Sequence, residues 1–342
     1  MAKFRSILKK AVIIVVVLVV AVPVFVFGTA WMPDMPWTEV ESNENATNHY
    51  ITEYKDLDVS AHRSGAGIAP QNTLMAFEKV IEESNKLGVD TFEFDVQVTK
   101  DGELILLHDL TYDKTSNAVE EFGHEEVYAS SLTFEEAQVL NLGENFCIDE
   151  EYPYRGLRGD NIPYNLRVAK CADIIDFIES NSNGKKYKYI IENKSEGEDG
   201  KKAADVLYKI ITERGLQDRV IWATDEQDVS KYMEETYPDM PRSSNILEVF
   251  LFYFCCRLNL DLDDFSPTYV ALQIPYGKKS PINKFINLGT KKLINYAHKY
   301  NIAVQYWTIN YEEDVKYLTE NGADCVMTDY PQMAFEAIKE CQ

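Results

Sequence analysis

Between Asp56 and the C-terminus, short β-like runs alternate with amphipathic helical ones, and this alternation restricts the fold more than any other feature of the chain. Eight runs read as strands: Asp58–His62, Thr91–Val96, Tyr187–Asn193, Val220–Ala223, Ser243–Ile246, Tyr269–Ile274, Ile302–Thr308 and Asp324–Thr328. The helical stretches between them include Thr73–Lys86, Lys201–Arg214, Glu226–Thr236, Thr290–Tyr300, Glu312–Asn321 and Pro331–Lys339. Strands separated by helices pair in parallel, because each crossover returns the chain to the same end of the sheet. Eight such units over about 285 residues match the usual size of one α/β fold, the (β/α)8 TIM barrel. The alternative is a doubly wound open sheet, less favoured because no G-x-G-x-x-G follows the first strand. Thr99 to Pro163 is too long for a βα loop. It is predicted as a small insertion after the second strand, with a hairpin turning at Lys100-Asp101-Gly102 and a short helix near Thr133–Leu140.

Ahead of this domain the sequence is of another kind. No charged residue occurs from Ala11 to Pro33, and as a helix these residues would span roughly 34 Å against a hydrocarbon core of about 30 Å. Lys3, Arg5, Lys9 and Lys10 precede the run, and Asp34, Glu39 and Glu41 are the first charges after it. The positive-inside rule then places residues 1–10 in the cytoplasm, 11–33 as a single transmembrane helix, 34–55 as a linker and 56–342 outside the cell membrane. A cleaved signal peptide is the competing reading, with Gly28 and Ala30 before the cut. A formal charge of -22 argues against nucleic acid as a partner. Six cysteines lack CxxC or CxxH spacing, so zinc is not indicated; buried free thiols that pack are the favoured reading, with a Cys147 to Cys171 disulfide as the alternative.

The chemistry concentrates between Ala61 and Asp109. From Val89 to Val98, Phe92, Phe94, Val96 and Val98 fall on one side of a strand, and Glu93, Asp95 and Gln97 on the other. In a barrel, reactive groups collect at the C-terminal ends of the strands. His62 and Arg63 end the first strand, Glu93 and Asp95 the second, and Glu192 and Lys194 the third; Trp307 ends the seventh and Asp329 follows the eighth. Glu93, Asp95 and Glu192 together repel one another unless a cation joins them, and oxygen ligands without cysteine point to Ca²⁺ or Mg²⁺. Pairing of Glu192 with Lys194, and of the other two with Arg63, is the reading without a metal. His62 and His108 offer a proton acceptor and a proton donor near neutral pH, as phosphodiester cleavage requires. Arg63 and Lys194 suit phosphate oxygens, and Trp307 suits the wall of a pocket. Asn72 or Thr73 is expected to cap the helix that follows Pro70-Gln71. His49, His124 and His298 read as surface or packing residues, and Val249 to Cys256 as a buried helix, with a helix resting on lipid near the mouth as the alternative.

These residues, in this order, resemble the glycerophosphodiester phosphodiesterase family from about Val59 to Ile338. The resemblance rests on His62-Arg63, Pro70 to Thr73, Phe92 to Val96, Thr99 to Gly102, His108-Asp109, Ile191 to Lys194, Trp307 to Asn310 and Gly322 to Pro331. It implies a TIM barrel that binds Ca²⁺ or Mg²⁺ through Glu93, Asp95 and Glu192, with His62 and His108 as the general acid-base pair. The implied reaction is hydrolysis of a small-molecule glycerophosphodiester to sn-glycerol 3-phosphate and an alcohol. Alternatives on the same barrel are a lysophospholipid or a polyglycerophosphate wall polymer as substrate, or a non-catalytic surface binding protein. Two positions depart from the family: Ser64 stands where a glycine is usual, and Gln71 where a glutamate is, which bears on how Arg63 is positioned.

Overall fold

The computed structural model describes Gly28, residues 46–277, Lys279, Asn283 and residues 286–342. The strands are β1 (Asp58–Ala61), β2 (Thr91–Val98), β3 (Leu104–Leu106), β4 (Lys188–Asn193), β5 (Val220–Ala223), β6 (Ala271–Pro275), β7 (Ala303–Trp307) and β8 (Cys325–Thr328). Seven of them run parallel in the order β5-β4-β2-β1-β8-β7-β6, while β3 turns back on β2 as the antiparallel arm of the hairpin expected at Lys100-Asp101-Gly102. The edges meet through Arg242–Ser244, which bridges Trp222 on β5 and Ala271 on β6. Ser243 N–H donates to Trp222 O at 3.0 Å and Ser244 N–H to Ala271 O at 2.9 Å. The result is a nearly closed barrel, consistent with a TIM barrel and not with an open sheet.

The strand expected at Ser243–Ile246 is shorter than that reading. Asn245 caps the next helix, its side chain accepting from Leu247 N–H and Glu248 N–H, so Ile246 begins Ile246–Leu258 rather than ending a strand. The helix expected at Thr73–Lys86 is split into Leu74–Glu82 and Ser84–Leu87, and the one expected near Thr133–Leu140 contracts to Phe134–Ala137 under a Thr133 capping box.

The alternation along β2 sorts its two faces. Phe92 and Phe94 enter the core under the helices, where Phe77 of Leu74–Glu82 meets both rings at 5.5 and 5.6 Å. Burying such a ring contributes roughly 2–3 kcal/mol, which fixes the helix and the loop before it against β2. Glu93 and Asp95 face the barrel interior above a layer of Ile190, Ile221, Ala271, Ala303 and Met327. The insertion carries its own small core around Ile105, Tyr112, Leu140 and Leu142. All six cysteines are free thiols: Cys171 is buried and Cys147 exposed, so the pairing considered for them does not occur. Among the described residues no helix is long and apolar enough to cross a membrane; the run Ala11–Pro33, Gly28 apart, lies outside them.

Candidate active site

The loop after β1 sets the site. Arg63, Ser64 and Gly65 have φ of 49°, 61° and 86°, a left-handed turn that points the Arg63 N–H at Glu93 Oε2, 2.6 Å away. Asn72, also left-handed at φ 56°, returns to the same place. Its Nδ2–H donates to Asp95 Oδ2 at 2.9 Å and its Oδ1 accepts from Asp95 N–H at 3.3 Å. Asn72 therefore fastens the carboxylate of Asp95, while Thr73 alone caps the helix by accepting from Ala76 N–H.

From β4, Glu192 comes beside the other two carboxylates, and single ligand atoms of Glu93, Asp95 and Glu192 lie within 4.8 Å of one another. Glu93 and Asp95 are buried, Glu192 half-buried. Burial, with the charge of Asp95 adding to it, pushes the Glu93 carboxyl up to about 7. Burial likewise lifts Glu192 to about 8, although Lys194 pulls the other way. Both components of the metal-free reading are present in part. Lys194 pairs with Glu192 and lies 3.9 Å from Asp95 and 3.6 Å from Asp225, and Arg63 Nε is 3.6 Å from Asp95. Two cations, one of them shared with Asp225, do not balance three carboxylates, so without a further cation the cluster sheds its excess negative charge by holding protons on Glu93 and Glu192. Hard oxygen donors with unmet negative charge suit Ca²⁺ or Mg²⁺.

His62 rests on Asp329, Nδ1 to Oδ1 at 2.7 Å, and Asp329 is steadied in turn by Asn310 Nδ2–H at 2.6 Å. Burial alone would disfavour the imidazolium, but Glu93 and then Asp329 outweigh it and hold the His62 pKa above its ordinary value. Asp329 is half-buried, which alone would raise its carboxyl, yet its bond to His62 keeps it below the usual range. His108 makes the corresponding contact with Asp109, 3.1 Å from Nδ1 to Oδ1. In both cases the bond made by Nδ1 leaves Nε2 as the free ring nitrogen.

These groups share one cavity of about 270 Å³, lined by His62, Arg63, Glu93, Asp95, His108, Glu192, Lys194 and, at its rim, the part-exposed Trp307. Every residue singled out from the sequence as catalytic, phosphate-binding or metal-ligating therefore lies on one concavity at the C-terminal ends of the strands. A second space of about 570 Å³ borders His62 and Arg63 and is walled by the insertion through Lys114, Thr115, Asn145 and Phe146. Sequence reasoning missed Asn72 as a partner of Asp95, and left Asp329, Asp109 and Asn310 without roles. Asp329 and Asp109 each border a recognised position, and Asn72 lies within the Pro70 to Thr73 motif, which was the available signal; the contact of Asn72 with Asp95 depends on a turn. Gln71 Oε1 accepts from Arg63 Nη1–H at 2.7 Å, so the amide orients Arg63 despite lacking charge. His298 is a packing residue, bonded to the buried Asp324 at 2.8 Å. His124 lies on the surface, and His49 is bonded to Asp218 O at 2.6 Å.

Residues 62–333 match the profile of the "Glycerophosphoryl diester phosphodiesterase family". A glycerophosphodiester phosphodiesterase of Caldanaerobacter subterraneus subsp. tengcongensis is 27% identical over 285 residues, covering 82% of this chain and 98% of the relative. Among solved structures, the glycerophosphoryl diester phosphodiesterase domain of a Mycobacterium tuberculosis protein superposes with a TM-score of 0.61 at 16% identity, covering 82% of this chain and 98% of the domain. An Oleispira antarctica phosphodiesterase, solved with the product sn-glycerol-3-phosphate, superposes with a TM-score of 0.58 at 17% identity, covering 82% and 96%. At those identities the two structures speak for the barrel alone. The profile match runs from His62 through the strand ends that carry the carboxylates and imidazoles of the cavity, and by it this chain belongs to the glycerophosphoryl diester phosphodiesterase family, whose members are phosphoric diester hydrolases.

Proposed function

We propose that the chain hydrolyses small glycerophosphodiesters to sn-glycerol 3-phosphate and an alcohol, with Ca²⁺ or Mg²⁺ held by Glu93, Asp95 and Glu192. The observation that carries this reading is the meeting of three mutually repelling carboxylates, two cations and two oriented imidazoles on one cavity. When bound, the cation supplies charge neutralisation at a phosphoryl oxygen and orients the diester. Arg63, aimed by Gln71, and Lys194 present N–H donors to the remaining phosphate oxygens. One imidazole takes the proton of the attacking oxygen, either water's or the substrate's own glycerol hydroxyl by way of a cyclic phosphate that water then opens, as the new P–O bond forms, and the other delivers a proton to the leaving alkoxide as the old one breaks. Asp329 and Asp109 hold each ring in the tautomer that frees Nε2 for this exchange. Trp307 walls the cavity at its rim. The Oleispira antarctica enzyme's product, sn-glycerol-3-phosphate, supports the same product here.

We place the enzyme at the outer face of the cell membrane, anchored by residues 11–33, on the strength of the uncharged run and the basic residues before it. The test is release of glycerol 3-phosphate from glycerophosphocholine by the full chain. Activity is expected to vanish in chelator, return with Ca²⁺ or Mg²⁺, and be lost in His62→Ala and His108→Ala. Turnover that survives chelation sinks the metal role, and saturable binding without turnover on any diester would favour a binding protein. A lysophospholipid is the second reading of the substrate, favoured by the exposed Ile246, Leu247 and Phe250, which follow Ser243 and Ser244 of the cavity lining.

A further inference from the structure

The helix Ile246–Leu258 leaves the barrel beside the active-site cavity. Ser243 and Ser244, just before its Asn245 cap, line that cavity. Its inner face is buried through Phe252, Tyr253, Cys255 and Cys256. On the outer face Ile246, Leu247 and Phe250 are 60%, 53% and 50% exposed, and Leu251 and Leu258 are exposed as well. Positions 246, 247, 250, 251 and 258 recur at helical spacing, so they form one stripe about 20 Å long without a carboxylate in it. Exposed Leu260 and Phe265 extend the stripe past the helix end. A contiguous apolar surface on a chain of net charge -22 calls for a covering partner.

The chain outside the described residues says what covers it. Thr47 and Asn48 are tied to the base of the barrel: Asn48 Nδ2–H donates to Val270 O at 2.7 Å and to Asn301 O at 3.0 Å, and Asn48 N–H to Asn301 Oδ1 at 2.9 Å. Val270 and Asn301 precede β6 and β7, and Ile246–Leu258 with the loop after it leads into β6, so the N-terminal tether leaves from the same flank as the stripe. Asp34 to Asn45 is the whole spacer between the uncharged run and this fixed point, about 40 Å fully extended. With the run in a bilayer, the stripe is held within reach of that same bilayer.

We propose that the outer face of Ile246–Leu258 lies in the headgroup region of the membrane, with the barrel on its side and the cavity mouth at the lipid surface. Exposed Asp261, Asp263 and Asp264 beside Leu260 and Phe265 make the matching surface a zwitterionic one, since anionic lipid would repel them. This deepens the proposed function, because it presents the site to phosphodiesters borne on the lipid surface, lysophospholipids above all. It rests on the reading of residues 11–33 as an anchor.

The test uses the full chain reconstituted in phosphatidylcholine vesicles, with Phe250→Trp and, as control, Tyr164→Trp. Tyr164 is exposed and bonded to Glu78 on Leu74–Glu82, the helix between β1 and β2, diametrically opposite in the strand order. With brominated phosphatidylcholine, the tryptophan at 250 is expected to lose emission about twofold or more relative to the parent chain, as burial of about 5–10 Å requires, and the one at 164 to lose none. The loss shrinks in vesicles rich in phosphatidylglycerol. If the chain floats with vesicles but position 250 is unquenched, docking is refuted while the anchor stands; a second copy or the chain's own N-terminal segment then covers the stripe. Flotation failure refutes the anchor reading and docking with it, whereas turnover of glycerophosphocholine is decided separately from both.

Discussion

Replacing Glu93 by glutamine separates what the carboxylate cluster costs the fold from what it does. Glu93 is buried, and its carboxyl is pushed from an ordinary 4.5 up to about 7. Keeping it ionised in the metal-free chain at pH 8 therefore costs ~3 kcal/mol. The glutamine retains an amide oxygen for the Arg63 N–H that Glu93 accepts at 2.6 Å, so the change removes charge and little else. Between about pH 4.5 and 7 the folded chain keeps a proton on Glu93 that the unfolded chain has released. Stability without metal hence falls as pH rises through that window, and Glu192, raised to about 8, extends it. In chelator at pH 8, Glu93→Gln is expected to be more stable than the parent by ~3 kcal/mol, or about 5 °C in Tm for a chain of this size. At pH 5 the gain shrinks to ~1 kcal/mol, because the native carboxyl is already neutral. With Ca²⁺ or Mg²⁺ at about 100 times its Kd the parent gains ~2.7 kcal/mol that the variant does not. Scanning calorimetry across pH, with chelator and with cation, reads all three. A variant less stable than the parent in chelator at pH 8, or a gain that ignores pH, would refute the charge-repulsion account.

Further outcomes follow from neighbouring residues. Asn72→Ala frees the Asp95 carboxylate and is expected to weaken cation affinity by about 10- to 100-fold, measured by titration calorimetry. Asp329→Asn keeps the shape but spoils the tautomer of His62; kcat on glycerophosphocholine should fall at least about 100-fold, with little further loss when His62→Ala is added. Ser64→Gly removes a left-handed, non-glycine backbone at φ 61° and a buried hydroxyl without a partner among the described residues, and should stabilise the chain by ~1 kcal/mol in denaturant titration.

Most of the site was legible in the sequence because it is carried by periodicity. The alternation Phe92-Glu93-Phe94-Asp95 names both faces of β2 at once, and the barrel turns strand ends into a single rim. Strand ends that lean on turn geometry were harder to see. The place of Arg242–Ser244 rests on isolated bridges, too short a segment for a period, and the apolar letters of Ile246–Leu258 blur its start until the Asn245 cap is known. Asn72 escaped because its side chain meets Asp95 through a left-handed turn between residues 23 positions apart, a contact that no spacing rule encodes. That same helix reads as buried from its composition, and only the structure divides it into an inner face and an exposed stripe.

The central claim is that the three carboxylates hold a divalent cation on which hydrolysis depends. Equilibrium binding of Ca²⁺ and Mg²⁺ to the chelator-stripped full chain, followed on the same samples by release of glycerol 3-phosphate, tests it most directly. One ion per chain is expected, with turnover rising in proportion to occupancy, and with ion and turnover both lost in Glu192→Gln. Full turnover in the stripped chain, or an ion that binds unchanged after Glu192→Gln, would contradict the account.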